Sequence, residues 1–208
     1  MHRPRTRLLL ASGLAVLGLA CAGGPPADPD DLCAIFAEKR GWYAAAHQAS
    51  QRWAVPEAIQ LAFVHQESRF RARARPPRRR LLGFIPTTRP SSAYGYGQVK
   101  SGTWSDYRRK TGNRFADRDD FGDVADFIGW YAGVIHRATG VARDDAYRLY
   151  LAYHEGPAGY RRASYEDKAW LLQVARKVDA RARRYAAQYA GCRERLGEPR
   201  RGWFGAFR

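Results

Sequence analysis

Glu67 lies at the end of an apolar helical stripe, which is a costly position for a carboxylate. Residues 55–64 predict a helix, and Ile59, Phe63 and Glu67 follow at intervals of four, so they share one face. Partial burial and the negative end of the helix dipole both raise the pKa of a carboxyl group there. A glutamate that keeps its proton near neutral pH can act as a general acid. The alternative is a helix-end glutamate that turns to solvent or pairs with Arg69.

Three short segments in a fixed order carry a family resemblance. They are residues 67–70 (Glu-Ser-Arg-Phe), 93–99 (Ala-Tyr-Gly-Tyr-Gly-Gln-Val) and 152–156 (Ala-Tyr-His-Glu-Gly). They resemble the Glu-Ser-x-Phe, Gly-Leu-Met-Gln and Ala-Tyr-Asn-x-Gly segments of the soluble lytic transglycosylase family. The resemblance covers residues 51–165. It implies a single mainly α-helical domain with the goose-type lysozyme fold, acting on peptidoglycan glycan strands.

The resemblance also implies a role for each matching residue. Glu67 matches the family acid, which protonates the glycosidic oxygen between N-acetylmuramic acid and N-acetylglucosamine. The same group then accepts the proton of the muramyl C6 hydroxyl, which gives a 1,6-anhydro sugar without water. Ser68 matches a serine near the anomeric carbon, although a helix-end hydroxyl can equally bond its own backbone. Gln98 matches a glutamine that hydrogen-bonds sugar groups. Tyr153 matches the tyrosine whose hydroxyl helps to hold the acid.

The second segment departs from the family pattern at its centre. Tyr96-Gly97 replaces Leu-Met, which removes part of the usual apolar wall of the cleft. Tyr94 or Tyr96 is then available to stack on sugar. Gly95 and Gly97 either let the backbone approach a glycan closely or form an ordinary turn.

The third segment departs as well, because His154-Glu155 replaces Asn-Ala. His154 either hydrogen-bonds the substrate or caps its helix. Glu155 introduces a second carboxylate, and a pair of carboxylates is typical of a hydrolase. No metal or cofactor is expected, because the five histidines are scattered and the chain has no glycine-rich phosphate loop.

The N-terminus predicts export. A basic start and an apolar run too short to span a bilayer indicate a signal peptide over residues 1–21. The end of the run resembles a lipoprotein signal, which favours a lipidated Cys21 followed by a flexible linker over residues 22–30. The competing interpretation is cleavage after Ala22, which removes Cys21. Either way the protein is expected on the periplasmic side of a bacterial envelope.

The remaining cysteines, Cys33 and Cys192, are expected to pair in an oxidising compartment and to join the first and last helices. Two separate buried thiols are the alternative. The catalytic domain is expected over residues 31–192. Helical spacing and capping residues predict helices over residues 32–51, 101–110 and 123–138, one from residue 55 that includes Glu67, and one from residue 144 or 145. A last helix is expected from a cap at Ser164 to residue 189, with Trp170 in its buried stripe.

The net charge of +16 implies an anionic partner, either wall polymer or a membrane surface, and export argues against nucleic acid. Residues 193–208 form a basic aromatic tail that suits an interfacial anchor or is disordered. The arginine-rich insert 71–92 either contacts the cleft, lipid or wall polymer, or packs as a solvated loop.

Two functions remain open from sequence. The leading hypothesis is a lytic transglycosylase with Glu67 as its general acid and base. The alternative is a non-catalytic wall-binding or scaffold protein on a degenerate lysozyme-like fold.

Overall fold

The computed structural model describes residues 24–78, 80–81, 85–86 and 88–197. The predicted signal peptide, with Cys21, and residues 198–208 of the predicted tail lie outside this part. The described chain is mainly helical, which confirms the predicted fold class. Its helices are α1 (Leu32–Glu38), α2 (Arg40–Trp53), α3 (Glu57–Ser68), α4 (Ser101–Thr111), α5 (Phe121–Thr139), α6 (Ala146–Arg161) and α7 (Ala169–Leu196). A short antiparallel hairpin, β1 (Arg80–Leu81) with β2 (Ile85–Pro86), lies in the insert.

Helix α3 occupies the centre of the domain. Every residue from position 57 to 65 is buried, because α3 is apolar on nearly all sides and packs against α2, α5 and α7. The helix ends at Arg69, whose left-handed backbone (φ 51°) lets its N–H donate to the carbonyl of His65. Phe70 is also left-handed (φ 58°), so the chain turns sharply just after Glu67.

Helix α6 brings two tyrosines to the end of α3. It begins after Asp145, whose side chain accepts the N–H of Arg148, and it packs against α5 and α7. The rings of Tyr150 and Tyr153 both meet the edge or face of Phe63 at 5.3 Å between centroids. Aromatic rings therefore form the contact between α3 and α6 next to the carboxyl group of Glu67.

Two predicted helices differ from the observed ones. The predicted helix 32–51 is divided into α1 and α2 at Lys39, whose backbone is not helical (φ −107°, ψ 66°). The last helix begins five residues after Ser164, the predicted cap, because the Ser164 hydroxyl donates to Glu155 and to the carbonyl of Gly159. Trp170, predicted in the buried stripe of that helix, is exposed.

The two ends of the domain extend beyond the predicted bounds. Helix α7 continues to Leu196, so the first residues assigned to the tail are helical. Residues 26–30, assigned to the linker, pack against the domain instead of forming a free tether. The Asp30 carboxylate pairs with Arg181 and Arg184, and the hydroxyl of Tyr185 donates to the carbonyl of Pro29.

Cys33 and Cys192 form a disulfide, with their Cα atoms 6.1 Å apart. This confirms the predicted pairing and joins α1 to α7. Within the described residues, no helix is both long enough and apolar enough to cross a bilayer.

Candidate active site

Glu67 is the penultimate residue of α3, and its carboxyl group is held by a single hydroxyl. The Tyr150 hydroxyl donates to Oε1 of Glu67 at 2.8 Å. Burial raises the pKa of Glu67 to about 7, and the hydrogen bond from Tyr150 offsets part of that rise. No Lys, Arg or His in the described part of the chain forms an ion pair with Glu67, so the pairing with Arg69 considered from sequence is not observed. This carboxyl group can therefore be protonated near neutral pH.

The tyrosine that bonds Glu67 is not the one that the family resemblance indicated. Tyr153 donates instead to the carbonyl of Gly97, at 2.8 Å, and so fixes the second segment. Tyr150 lies three residues earlier on the same face of α6, and its ring is nearly parallel to that of Tyr153. The sequence contained a signal for this residue, since two tyrosines three apart on one helix point the same way.

Segment 93–99 forms a tight turn closed by a bridge between Tyr94 and Val99. Gly95 is in the left-handed region (φ 81°), and a Cβ there would lie 1.9 Å from the carbonyl oxygen of Arg118. Only glycine fits this approach. The Nε2 of Gln98 donates at 2.9 Å to the carbonyls of Ala74 and Gly95, so this amide holds the start of the insert against the turn.

Tyr96 does not face a sugar, contrary to the prediction. It is 4% exposed and packs edge-on against Trp42 and Phe121 in the core. Burial raises the pKa of its hydroxyl to about 12. The apolar side chain that the family places near this position is thus replaced by a core residue, and Tyr96 cannot form part of the cleft surface.

Tyr94 is half-buried, and its ring already has cationic neighbours. The guanidinium groups of Arg75 and Arg118 lie 4.3 and 5.3 Å from the ring centroid. Its hydroxyl donates to Asp119 at 2.9 Å. A sugar that stacked on Tyr94 would have to displace at least one of these arginines.

Ser68 points into its own helix. Its side chain is buried, and Oγ donates to the carbonyl of Val64 at 3.0 Å. The expected position near an anomeric carbon is therefore not observed, and the hydroxyl completes the last turn of α3.

A family comparison agrees with this arrangement. The model of the transglycosylase SLT domain matches residues 9–192, which is most of the chain. The chain belongs to this family. No protein of curated function matches its sequence. The SLT family acts on peptidoglycan glycan strands in the cell envelope, and its lysozyme-like helical domain corresponds to the observed fold class.

In this SLT domain the carboxylate of Glu155, in the third segment, already has hydrogen-bond partners. Glu155 accepts two hydrogen bonds from Lys168 Nζ at 2.7 Å, one from Ser164, and a contact from His154 Nδ1 at 3.0 Å. Burial opposes ionisation of Glu155, but these hydrogen bonds outweigh it and lower the pKa to about 2. Glu155 is thus a permanently charged residue that binds the turn before α7 to the end of α6.

His154 lies on the exposed side of α6, next to the kink at Gly156 (φ 74°). It neither touches Glu67 nor caps the helix, and its ring meets that of Trp170 edge-to-face. Among the described residues, no three His, Cys, Asp or Glu side chains are grouped as a metal site requires.

The insert begins directly beside the SLT motifs. Arg71 Nε donates to the carbonyl of Ser68 at 3.1 Å, and Arg73 lies 3.7 Å from Asp119. With Arg75 on Tyr94, three arginines therefore surround the end of α3 and the 93–99 turn. An anionic glycan strand would meet positive charge on this side.

Proposed function

We propose that this protein is a peptidoglycan lytic transglycosylase in which Glu67 is both general acid and general base. The observation that supports the proposal is a partly buried carboxyl group with a pKa near 7 and one neutral hydrogen-bond donor. An acid whose pKa is near the working pH is protonated often enough to donate and is still a useful base afterwards.

The contact with Tyr150 identifies which oxygen of Glu67 would carry the acid proton. Because the Tyr150 hydroxyl donates to Oε1, the acid proton is carried by Oε2. Oε2 protonates the glycosidic oxygen as the anomeric bond breaks. The resulting carboxylate, stabilised by Tyr150, then accepts the proton of the muramyl C6 hydroxyl as that oxygen bonds to the anomeric carbon. The proton that is lost is regained, and water takes no part.

The state of Glu155 favours this single-carboxylate mechanism over hydrolysis. A hydrolase needs a second carboxylate that is free to activate water or attack the sugar. Glu155 is bound by Lys168 and Ser164 and has a pKa of about 2, so it is a weak base with its oxygens engaged. The carboxylate of Asp119, beside the 93–99 turn, is engaged as well, since it accepts the Tyr94 hydroxyl and pairs with Arg73.

Product analysis tests the proposal against its alternatives. Purified peptidoglycan incubated with the protein is expected to release muropeptides with 1,6-anhydro ends, which mass spectrometry distinguishes because they are one water lighter than hydrolysis products. Products with reducing ends would instead show a lysozyme-like hydrolase. Binding without release of any product would favour the wall-binding scaffold.

Replacement of Tyr150 by Phe is expected to shift the pH dependence of cleavage. The lost hydrogen bond stabilises the carboxylate form, so the pKa of Glu67 rises further and the alkaline limb of kcat/KM moves up by about one pH unit. Tyr153→Phe is the matched control, since its hydroxyl bonds Gly97 and not Glu67. An identical shift in both variants would contradict the assignment of Tyr150 as the positioning residue.

For the location of the protein we propose a periplasmic lipoprotein, exported by residues 1–21 and anchored through Cys21. The support is the sequence pattern alone, together with the envelope substrate of the SLT family. Intact-mass measurement of the mature chain tests it. A lipid-modified Cys21 is expected, and an unmodified N-terminus at Gly23 would refute the anchor.

A further inference from the structure

Contacts of Tyr150 and His154, both on α6, lead from Glu67 to the start of α7. Tyr150 bonds Glu67, and His154 follows Tyr150 by four residues, so the two side chains share a face about 6 Å apart at Cβ. The His154 ring then meets the indole of Trp170 edge-to-face, at 5.2 Å between centroids. Trp170 therefore lies on the side of α6 that carries Tyr150, the residue that bonds Glu67.

The indole of Trp170 is exposed but rigidly supported. Its relative exposure is 55%, and the only other large hydrophobic residue so exposed in the described chain is Phe115. Trp170 lies in the first turn of α7, two residues after Lys168. The ion pair between Lys168 and Glu155 fixes that turn to the end of α6, and Glu155 also contacts His154. One buried carboxylate thus contacts the His154 ring and fixes the turn from which Trp170 projects.

We propose that Trp170, with His154 at its edge, is a stacking surface for an N-acetylated pyranose of the glycan strand bound at Glu67. The substrate class rests on the proposed function. The C–H face of a pyranose packs on an aromatic ring, and Trp offers the largest face together with an N–H donor. The core position of Tyr96 and the arginines on Tyr94 leave the second segment without a free aromatic face. Trp170 supplies one next to the third segment.

This surface also explains the replacement in the third segment. The histidine at position 154 gives Trp170 an aromatic edge, and the glutamate at position 155 provides the carboxylate that binds Lys168. The two departures from the Ala-Tyr-Asn-x-Gly pattern thus act together, since one orders the turn and the other contacts the ring that follows it.

The test measures saccharide binding separately from cleavage. The N-acetylglucosamine tetrasaccharide is titrated into the full chain, and binding is followed by calorimetry and by the indole N–H signal of Trp170, assigned with Trp170→Phe. Trp170→Ala is expected to weaken binding about tenfold, since removing a stacked indole forfeits roughly 1.4 kcal/mol of contact. Trp170→Phe is expected to retain most of the affinity. Phe115→Ala is the matched control and should bind like the wild type.

The possible outcomes separate this surface from the proposed reaction. An affinity of Trp170→Ala within twofold of the wild type, or no tetrasaccharide binding by the wild-type chain, would overturn the stacking surface even if peptidoglycan is cleaved. A tenfold loss of affinity in a protein that releases no anhydro products would support the surface and refute the transglycosylase. Equal unfolding temperatures of wild type and Trp170→Ala show that the loss is not structural.

Discussion

Glu67→Gln is expected to lower the rate of peptidoglycan cleavage by about 10³- to 10⁴-fold while the domain stays folded. General acid–base catalysis by one positioned group contributes on the order of 10²–10⁴ to a rate, and here the same group would serve in both steps. The amide cannot donate an acidic proton to the glycosidic oxygen. Its carbonyl oxygen can still accept the Tyr150 hydroxyl, so the contact that orients position 67 is kept. Release of anhydro-muropeptides per unit time measures the effect.

The stability of this variant provides a second readout with a defined sign. The pKa of Glu67 is raised from 4.5 to about 7 in the folded state, so the native protein holds its proton over a range where the unfolded chain has lost it. The wild type therefore loses stability as pH rises from about 4.5 to about 7. The variant lacks this loss, and at pH 8 it should be more stable by on the order of 2–3 kcal/mol. Urea unfolding at pH 4 and pH 8 tests this difference.

Glu57→Gln is the matched control for both measurements. Glu57 is a buried glutamate at the other end of α3, where it lies 2.9 Å from Nδ1 of His47. Its replacement is expected to leave the rate of cleavage within a few fold of the wild type. A Glu67→Gln protein that cleaves within tenfold of the wild-type rate would end the assignment of the acid, whatever the control shows.

The same carboxyl group determines the pH range of activity. The reaction begins with protonated Glu67, so kcat/KM should decline as pH rises through about 7, the pKa of this group. The pKa of Glu155 is about 2, so this residue stays charged over the whole working range. Its ionisation therefore does not change kcat/KM over that range.

The sequence predicted the raised pKa of Glu67 because the pattern that indicates it is local. The stripe of Ile59 and Phe63 places Glu67 on the face of α3 that meets the core, where desolvation raises its pKa. The helices were likewise predictable from periodicity, and the starts of two of them from the Asp caps Asp31 and Asp145. These features depend on neighbours within a few residues.

The errors concern residues whose role is set by distant partners. Tyr150 and Tyr153 are both core-facing tyrosines, and only the packing of α6 on α3 decides which hydroxyl reaches Glu67. Serine is a typical helix cap, yet the Ser164 hydroxyl donates to the carboxylate of Glu155, nine residues earlier. Tyr96 alternates with glycines in a turn, and its burial depends on Trp42 from α2.

Replacing both Cys33 and Cys192 by Ser is expected to reduce the free energy of unfolding by about 4–5 kcal/mol, since the bond closes a loop over a sequence separation of 159 residues. The effect comes mainly from the unfolded chain, which gains conformational freedom when the loop is opened. Other contacts keep the native ends together without the bond and limit further loss. They include the pairs of Asp30 with Arg181 and Arg184 and the hydrogen bond from Tyr185 to Pro29.

The cleavage rate of the serine variant separates this global effect from any effect on the site. The disulfide joins α1 to α7 and makes no contact with Glu67 or Tyr150, so the folded variant should cleave at nearly the wild-type rate at low temperature. Urea unfolding of the variant and of the wild type, oxidised and reduced, measures the stability change. The reduced wild type should match the variant. A loss below about 1 kcal/mol would mean that the N-terminal contacts, and not the covalent bond, hold α1 against α7.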